Sequence, residues 1–236
     1  MTRRRLSSPF LLAASAAALA GCVSLKRTPE ARFFVLRSLA EPGTPAPQAP
    51  SSDPVGVLPV RVPGYLDRPQ LVTWVAPGEL RIDEFLRWAE PLDAGISRTL
   101  AENLDALLPG RQVLRWPWPG STPLSCRVRV ALERFGPEAS GGVFLEGAFV
   151  VLPPRGERPL ARRPFALRRE AQTRPAGAGP APGVEAMNEL LLELSREVAR
   201  AIQDLPAEAS VTSTAPRPSR SPGAGSARRR SRPRAS

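Results

Sequence analysis

Histidine is absent from the 236 residues, and cysteine occurs only twice, at Cys22 and Cys126. Without His, the Ser-His-Asp and Cys-His nucleophilic devices, imidazole ligation of metals and a histidine pH switch are excluded. Two cysteines build neither a disulfide framework nor a Cys-rich metal site. Enzymes resting on paired carboxylates, Lys or Ser alone pass this filter. The nearest carboxylate pairs are Asp83-Glu84 and Glu90 with Asp93. Both are expected beside the start of a helix, where acids stabilise the positive end of the dipole. No catalytic residue, metal ligand or cofactor is expected. A G-x-x-x-x-G-K-[ST] phosphate loop is also missing, so the chain is not an ATP-driven motor.

What is present is enough for one folded domain with extensions: 42% hydrophobic and 23% charged residues, with 29 Pro, about twice the ordinary share. The formal charge of +11 sits mostly at the ends. Residues 1–21 carry +3 and residues 207–236 carry +6, which leaves +2 for the body of the chain. A nucleic-acid partner is therefore not expected. Residues 207–236 are Ser, Pro, Ala, Gly and Arg with no apolar period, and read as a disordered tail, solvated or touching anionic headgroups.

The amino terminus has the tripartite pattern of an export signal. Arg3, Arg4 and Arg5 precede an apolar stretch from Pro9 to Ala20. That stretch is too short for a permanent span, which needs about 20 residues. It ends at Leu19-Ala20-Gly21-Cys22, a run like the bacterial lipobox, in which the Cys is acylated and becomes the first residue. Two or three acyl chains, at about 0.8 kcal/mol per buried CH₂, hold a protein to a bilayer persistently. Val23 follows, where Asp would mark retention in the inner membrane, and so points to the outer one. Residues 1–21 are thus the signal and 22–30 a lipidated tether. Its eight residues after Cys22 reach at most about 25 Å.

Residues 31–206 read as the domain. A first strand spans Arg32 to Leu36, and the Pro-rich segment 41–54 is a loop. Val55 to Val62 is a strand bent at Pro59, and Leu71 to Ala76 another. A turn at Pro77-Gly78 leads to a short strand at Leu80–Ile82. Pro91 opens a helix whose apolar stripe is Leu92, Ile96, Leu100, Leu104 and Leu107/Leu108, with Asp93, Arg98, Glu102 and Asp105 on the opposite face. Val113 to Trp116 is a strand closed by the Pro117–Gly120 turn. Alternation from Leu124 to Glu133 puts Cys126 on the inner face as a small buried hydrophobe. With Val143–Leu152 and the Arg-studded 160–170, it makes an antiparallel meander. After a Pro/Gly/Ala loop at 175–183, a second helix carries Val184, Met187, Leu190, Leu191, Leu194, Val198 and Ile202 on its apolar stripe. Trp116 and Trp118 either stack a ligand or close a loop over the core.

The run Val57-Leu58-Pro59-Val60-Arg61-Val62-Pro63-Gly64-Tyr65-Leu66-Asp67-Arg68-Pro69-Gln70-Leu71-Val72, followed by Trp88-Ala89-Glu90-Pro91-Leu92, carries a specific resemblance. With Phe33-Phe34-x-Leu36 and the lipobox, it resembles the ABC-type transport auxiliary lipoproteins, the family of the paraquat-inducible lipoprotein C. The likeness runs from Cys22 to Pro206, is strongest over 55–109, and does not account for the Arg-rich tail. It implies an α/β fold, a single anticodon-binding-type domain with a mixed β-sheet flanked by two main helices. It also implies a lipid-anchored, periplasm-facing part at the inner leaflet of the outer membrane. Its partners would be an MCE-domain membrane-bridging protein and, through it, an ABC permease and ATPase that move lipids or hydrophobic compounds between the membranes. The chain would do no chemistry and would dock the bridge. Its oligomeric state stays open, a homo-oligomer included.

Another class of function is a lipoprotein that holds a hydrophobic ligand in its own cavity; a flat apolar patch favours docking and an enclosed pocket favours this reading. A cell-envelope hydrolase needs convergent acids that the sequence does not offer. For docking, Tyr65 and Leu66 are the candidate partner-binding residues. They follow Pro63-Gly64 in a loop between two strands, and Tyr is enriched at interface hot spots. The competing reading makes them caps on the core. Cys22→Ala should release the protein from membranes, and mass spectrometry should find acyl chains on the wild-type Cys22. A Cys22→Ala chain that still fractionates with membranes through its amino terminus would refute the anchor.

Overall fold

The computed structural model describes residues 29–38, 52–171 and 183–206; Cys22, the signal segment, most of the Pro-rich loop and the Arg-rich tail lie outside them. The elements are β1 (Arg32–Phe34), β2 (Ser52–Val57), β3 (Gln70–Ala76), β4 (Glu79–Trp88), α1 (Leu92–Leu107), β5 (Arg111–Arg115), β6 (Cys126–Pro137), β7 (Gly142–Leu152), β8 (Ala161–Glu170) and α2 (Val184–Gln203). This is the expected α/β domain with two main helices. The strands, however, divide between two sheets, one of order β1-β4-β3 and one of order β5-β2-β6-β7-β8. Both are mixed: β1 runs parallel to β4, and β2 parallel to β5 and β6, while the remaining pairs are antiparallel.

The helices form where the apolar residues recur at helical spacing. Leu92, Ile96, Leu100 and Leu104 of α1 are buried, as are Met187, Leu190, Leu191, Leu194, Val198 and Ile202 of α2. Each such side chain contributes about 1.5–3 kcal/mol. The helices pack on each other and cover one face of the five-stranded sheet, α1 over β2 and β5 and α2 over β6, β7 and β8. Between them the Asn103 amide donates to Ser195 Oγ at 3.2 Å, and Ser195 Oγ donates to the Leu191 carbonyl at 2.6 Å. A polar pair that satisfies itself this way removes the cost of its burial.

The polar face of α1 ties elements together instead of merely facing water. Arg98 donates to the Leu36 carbonyl at 2.9 Å and pairs with Glu90 at 2.6 Å and Glu102 at 3.2 Å, fixing the end of the β1 segment to the helix. Asp105 accepts the Val113 backbone N–H at 3.0 Å and sets the step from α1 to β5. The Arg residues of β8 behave similarly on the helix side, where Arg169 meets Glu189 at 3.1 Å and Glu193 at 3.4 Å. Exposed pairs of this kind contribute about 0–1 kcal/mol each.

Three sequence expectations need correction. Ser52–Pro54, read as the end of the Pro-rich loop, begin β2 instead. That strand ends at Val57, because Pro59 has no N–H for the ladder. Residues 58–61 still track β6, with Leu58 N–H on the Val128 carbonyl at 2.9 Å and Arg61 N–H on the Val130 carbonyl at 3.0 Å. Finally, the short strand at Leu80–Ile82 is the start of the ten-residue β4, and Asp83 and Glu84 lie on it, away from any helix dipole. Asp83 Oδ1 accepts the N–H groups of Phe85 and Leu86 at 2.9 and 3.1 Å. That local turn chemistry breaks the strand's alternation.

The meander β6-β7-β8 forms as expected, with Cys126 buried at 1% exposure. Its register slips between Leu132 and Arg134. Opposite the slip sits Gly147, where an added Cβ would lie 2.2 Å from the Ala131 carbonyl oxygen and 3.1 Å from the Phe165 ring. Backbone cannot yield as a flexible side chain can. Gly147→Ala should therefore lower stability by roughly 1–3 kcal/mol or more in urea denaturation. Gly64→Ala, where an added Cβ meets no atom within 4 Å, should change little. Equal midpoints for the two variants would contradict this packing.

Candidate functional site

Tyr65 and Leu66 sit on a tight turn, with Leu66 N–H on the Pro63 carbonyl at 2.9 Å and Arg68 N–H on the Leu66 carbonyl at 2.8 Å. The turn separates their fates. Leu66 is 3% exposed and packs in the core, the place the capping reading gives it, where it plugs the turn onto the domain and positions Tyr65. Tyr65 is half-buried on the sheet face opposite the helices. Its hydroxyl donates to the Glu133 carbonyl at 2.7 Å, and its ring meets Trp74 edge to face at 5.6 Å between centroids.

Tyr65 opens onto a cluster that the sequence reading missed. The guanidinium of Arg134 (β6) lies between two rings, 4.5 Å from the Trp74 centroid on β3 and 3.9 Å from the Phe144 centroid on β7. Trp74 and Phe144 themselves meet edge to face at 6.2 Å. Glu146, the cross-strand partner of Arg134, holds the guanidinium at 3.2 Å. The cluster spans the seam between the sheets, where Trp74 bridges to Glu138 and the Trp74 carbonyl accepts the Ala139 N–H at 2.8 Å. The local signal for it was the break of alternation at Glu133-Arg134, which turns Arg134 to the outer face.

Two donors in the cluster lack acceptors: Arg134 Nε and Trp74 Nε1 are buried and have no hydrogen-bond partner among the described residues. A buried donor without an acceptor costs about 1–3 kcal/mol. Trp74 and Arg134 line an open recess of about 510 Å³, rimmed by Val75, Pro77, Ala139 and Ser140. On the other side of Glu146, a second open recess of about 480 Å³ is lined by Glu133, Arg162 and Pro164. Burial pushes the Tyr65 phenol above its ordinary value, the Arg134 guanidinium offsets part of that, and Glu146 adds to it. Tyr65 therefore stays protonated and keeps its donor role.

The other candidates take structural places. Burial raises the Cys126 thiol above its usual pKa, which makes it unreactive, as befits a small buried hydrophobe. Trp118 covers Gly56 of β2 and contacts the half-exposed Trp116 edge to face at 5.1 Å, closing its loop over the sheet. Among the described residues no group of three or more His, Cys, Asp or Glu side chains is placed to hold a metal, and no helix is long and apolar enough to cross a membrane.

Comparison with known proteins follows the same lines. The family model described as ABC-type transport auxiliary lipoprotein component matches residues 34–199. Among solved structures, one titled only as an uncharacterized protein shares 22% identity at a TM-score of 0.60, over 74% of this chain and 99% of its own. A Xanthomonas campestris protein of the DUF330 family shares 16% identity at a TM-score of 0.56, over 73% of this chain and 97% of its own. These likenesses establish a shared fold. A comparison with curated protein sequences finds no match.

The half-burial of Tyr65 makes it a stability residue as well as a surface one. Tyr65→Phe, which loses only the hydroxyl bond to the Glu133 carbonyl, should cost about 1 kcal/mol. Tyr65→Ala, which also uncovers the edge of Trp74, should cost roughly 1–3 kcal/mol in the same urea titration. An unchanged midpoint for Tyr65→Ala would mean that the ring does not pack as described.

Proposed function

The chain belongs to the family of ABC-type transport auxiliary lipoprotein components, and on that footing we propose that it is the docking part of an ABC/MCE-type system moving lipids or hydrophobic compounds between two membranes. The family is a transport component, not an enzyme family, and its lipoprotein character places it in the cell envelope. The finer reading is an anchor at Cys22 in the inner leaflet of the outer membrane, with the domain facing the periplasm and engaging the membrane-bridging protein. Through that bridge it connects to permease and ATPase, and it performs no catalysis itself.

One observation carries the docking reading. At the seam, two buried donors without acceptors lie beside an open recess and a rigid tyrosine. The residues that carry these donors line the recess, so a partner segment that lays a carboxylate there meets the Arg134 charge directly, and a small shift of the Trp74 or Arg134 side chain would open the buried donors to it. The alternative, a hydrophobic ligand held inside the domain, calls for an enclosed apolar cavity. Both recesses at this face are instead open and carry charged groups, Arg134 and Glu138 in one and Glu133, Glu146 and Arg162 in the other.

The test is co-purification from detergent-solubilised envelopes. Wild-type chain should bring down the bridging component with permease and ATPase. Ala139→Arg, which places a bulky charge on the exposed rim of the seam recess, should reduce recovery about tenfold without changing thermal stability. Full recovery with Ala139→Arg would move the docking face elsewhere. Wild-type chain that recovers no transport component would refute the system assigned.

A further inference from the structure

Residues that alternate along a strand covering one face of a core should be apolar inside and polar outside. β1 and its continuation break that rule. Phe34 and Leu36 are buried at 8% and 2% exposure, yet Phe33 and Val35 on the opposite side are also apolar and stand 63% and 48% exposed. Four large hydrophobic side chains are exposed among the described residues, and the other two, Ile82 and Trp116, stand apart. Phe33 is in register with Arg87, five residues along β4 from Ile82, which is about 16 Å. Trp116 follows β5, an edge of the other sheet. Among the described residues the doublet at 33 and 35 is thus the one place where two large exposed hydrophobic side chains adjoin.

Its position in the chain names what covers it. Phe33 is eleven residues from Cys22, a span of at most about 36 Å even when fully extended. The stretch from 23 to 37 carries Lys26, Arg27, Arg32 and Arg37 against Glu30 alone. Arg37 is matched by Glu185 at 2.6 Å, and Arg87 beside Phe33 by Glu84 at 3.5 Å, so the basic excess falls on the residues nearest the anchor. An apolar pair, a basic approach and a covalent acyl anchor within one short stretch are the elements of an interfacial membrane contact.

We propose that the outer face of β1, through Phe33 and Val35, seats on the surface of the bilayer that holds the lipid anchor. The proposal rests on acylation at Cys22. Seating fixes the orientation of the domain: the outer side of β1 lies on the headgroups, and the β3–β4 hairpin lies at the far end of β4 from that contact. A lipid anchor alone leaves the domain free to tumble at the end of its tether, whereas a second contact presents a fixed face to a partner.

The experiment uses the full-length, acylated chain. With Cys22 blocked by its lipid and Cys126 buried, Phe33→Cys supplies one accessible thiol for an environment-sensitive dye, and wild-type chain should take up almost none. Glu79→Cys, on the exposed β3–β4 hairpin and about 26 Å along β4 from the position paired with Phe33, is the control. Both are placed in phosphatidylethanolamine–phosphatidylglycerol vesicles containing a doxyl-labelled lipid, and flotation confirms attachment. The dye at 33 should shift to the blue and be quenched about twofold or more, while the dye at 79 is unaffected. Floating vesicles with no quenching at 33, or with equal quenching at both sites, would overturn the seating. A blue shift without quenching would show that protein, a partner or a second copy, covers the doublet, and would overturn it too. A wild-type chain that neither floats nor carries acyl chains refutes the anchor itself, and the seating falls with it.

Discussion

The Arg134 side chain, stacked between Trp74 and Phe144, is the contact on which the arrangement of the two sheets depends. Phe144 points to the outer face of the five-stranded sheet, where no helix covers it, yet it is only 3% exposed. Its cover is the Arg134 guanidinium and the Trp74 ring from the other sheet. Stacking of this kind is worth about 0.5–2 kcal/mol per contact, and the Glu146 carboxylate keeps the guanidinium in place. The backbone accommodates the approach. Gly136 has a φ of +144°, and a Cβ there would sit 3.1 Å from the Val72 carbonyl oxygen. With β3 docked at this seam, the positions of β4 and β1 follow from the ladder, and so does the point where the tether leaves the domain.

This division of the surface has a functional consequence. One face of the five-stranded sheet is covered by α1 and α2, whose apolar stripes are buried there. The opposite face carries the seam, its unpartnered donors and two open recesses. A part that docks a bridge needs a firm platform and an accessible face, and the meander with its helix backing supplies the first while the seam supplies the second. Membership of a transport-auxiliary lipoprotein family agrees with such a division of labour.

Much of the scaffold was legible in the sequence because it is written in local periodicity. The stripes of α1 and α2, the alternation of β6 and the Gly141-Gly142 turn each need only a few consecutive residues to recognise. The failures came where a short-range interaction interrupts the period: Asp83 capping two N–H groups inside β4, and Pro59 ending the β2 ladder while the chain still follows β6. At the site, the motif picked out Tyr65 but also Leu66, since a turn's sequence does not reveal which of two neighbours faces inward. Trp74, Arg134 and Phe144 were invisible as a group. They are brought together by the meeting of two sheets, and beyond the break of alternation at Glu133-Arg134 nothing in residues so far apart along the chain signals it.

The most direct measurement is photocrosslinking in living cells, with a photoreactive amino acid placed at Ala139 on the seam rim and, in a separate strain, at Glu189 on α2. The account predicts a protein adduct with the bridging component at position 139 and none at 189, on the helical side away from the seam. An adduct with that component at 189 but not at 139 would contradict the assignment of the seam as the docking face.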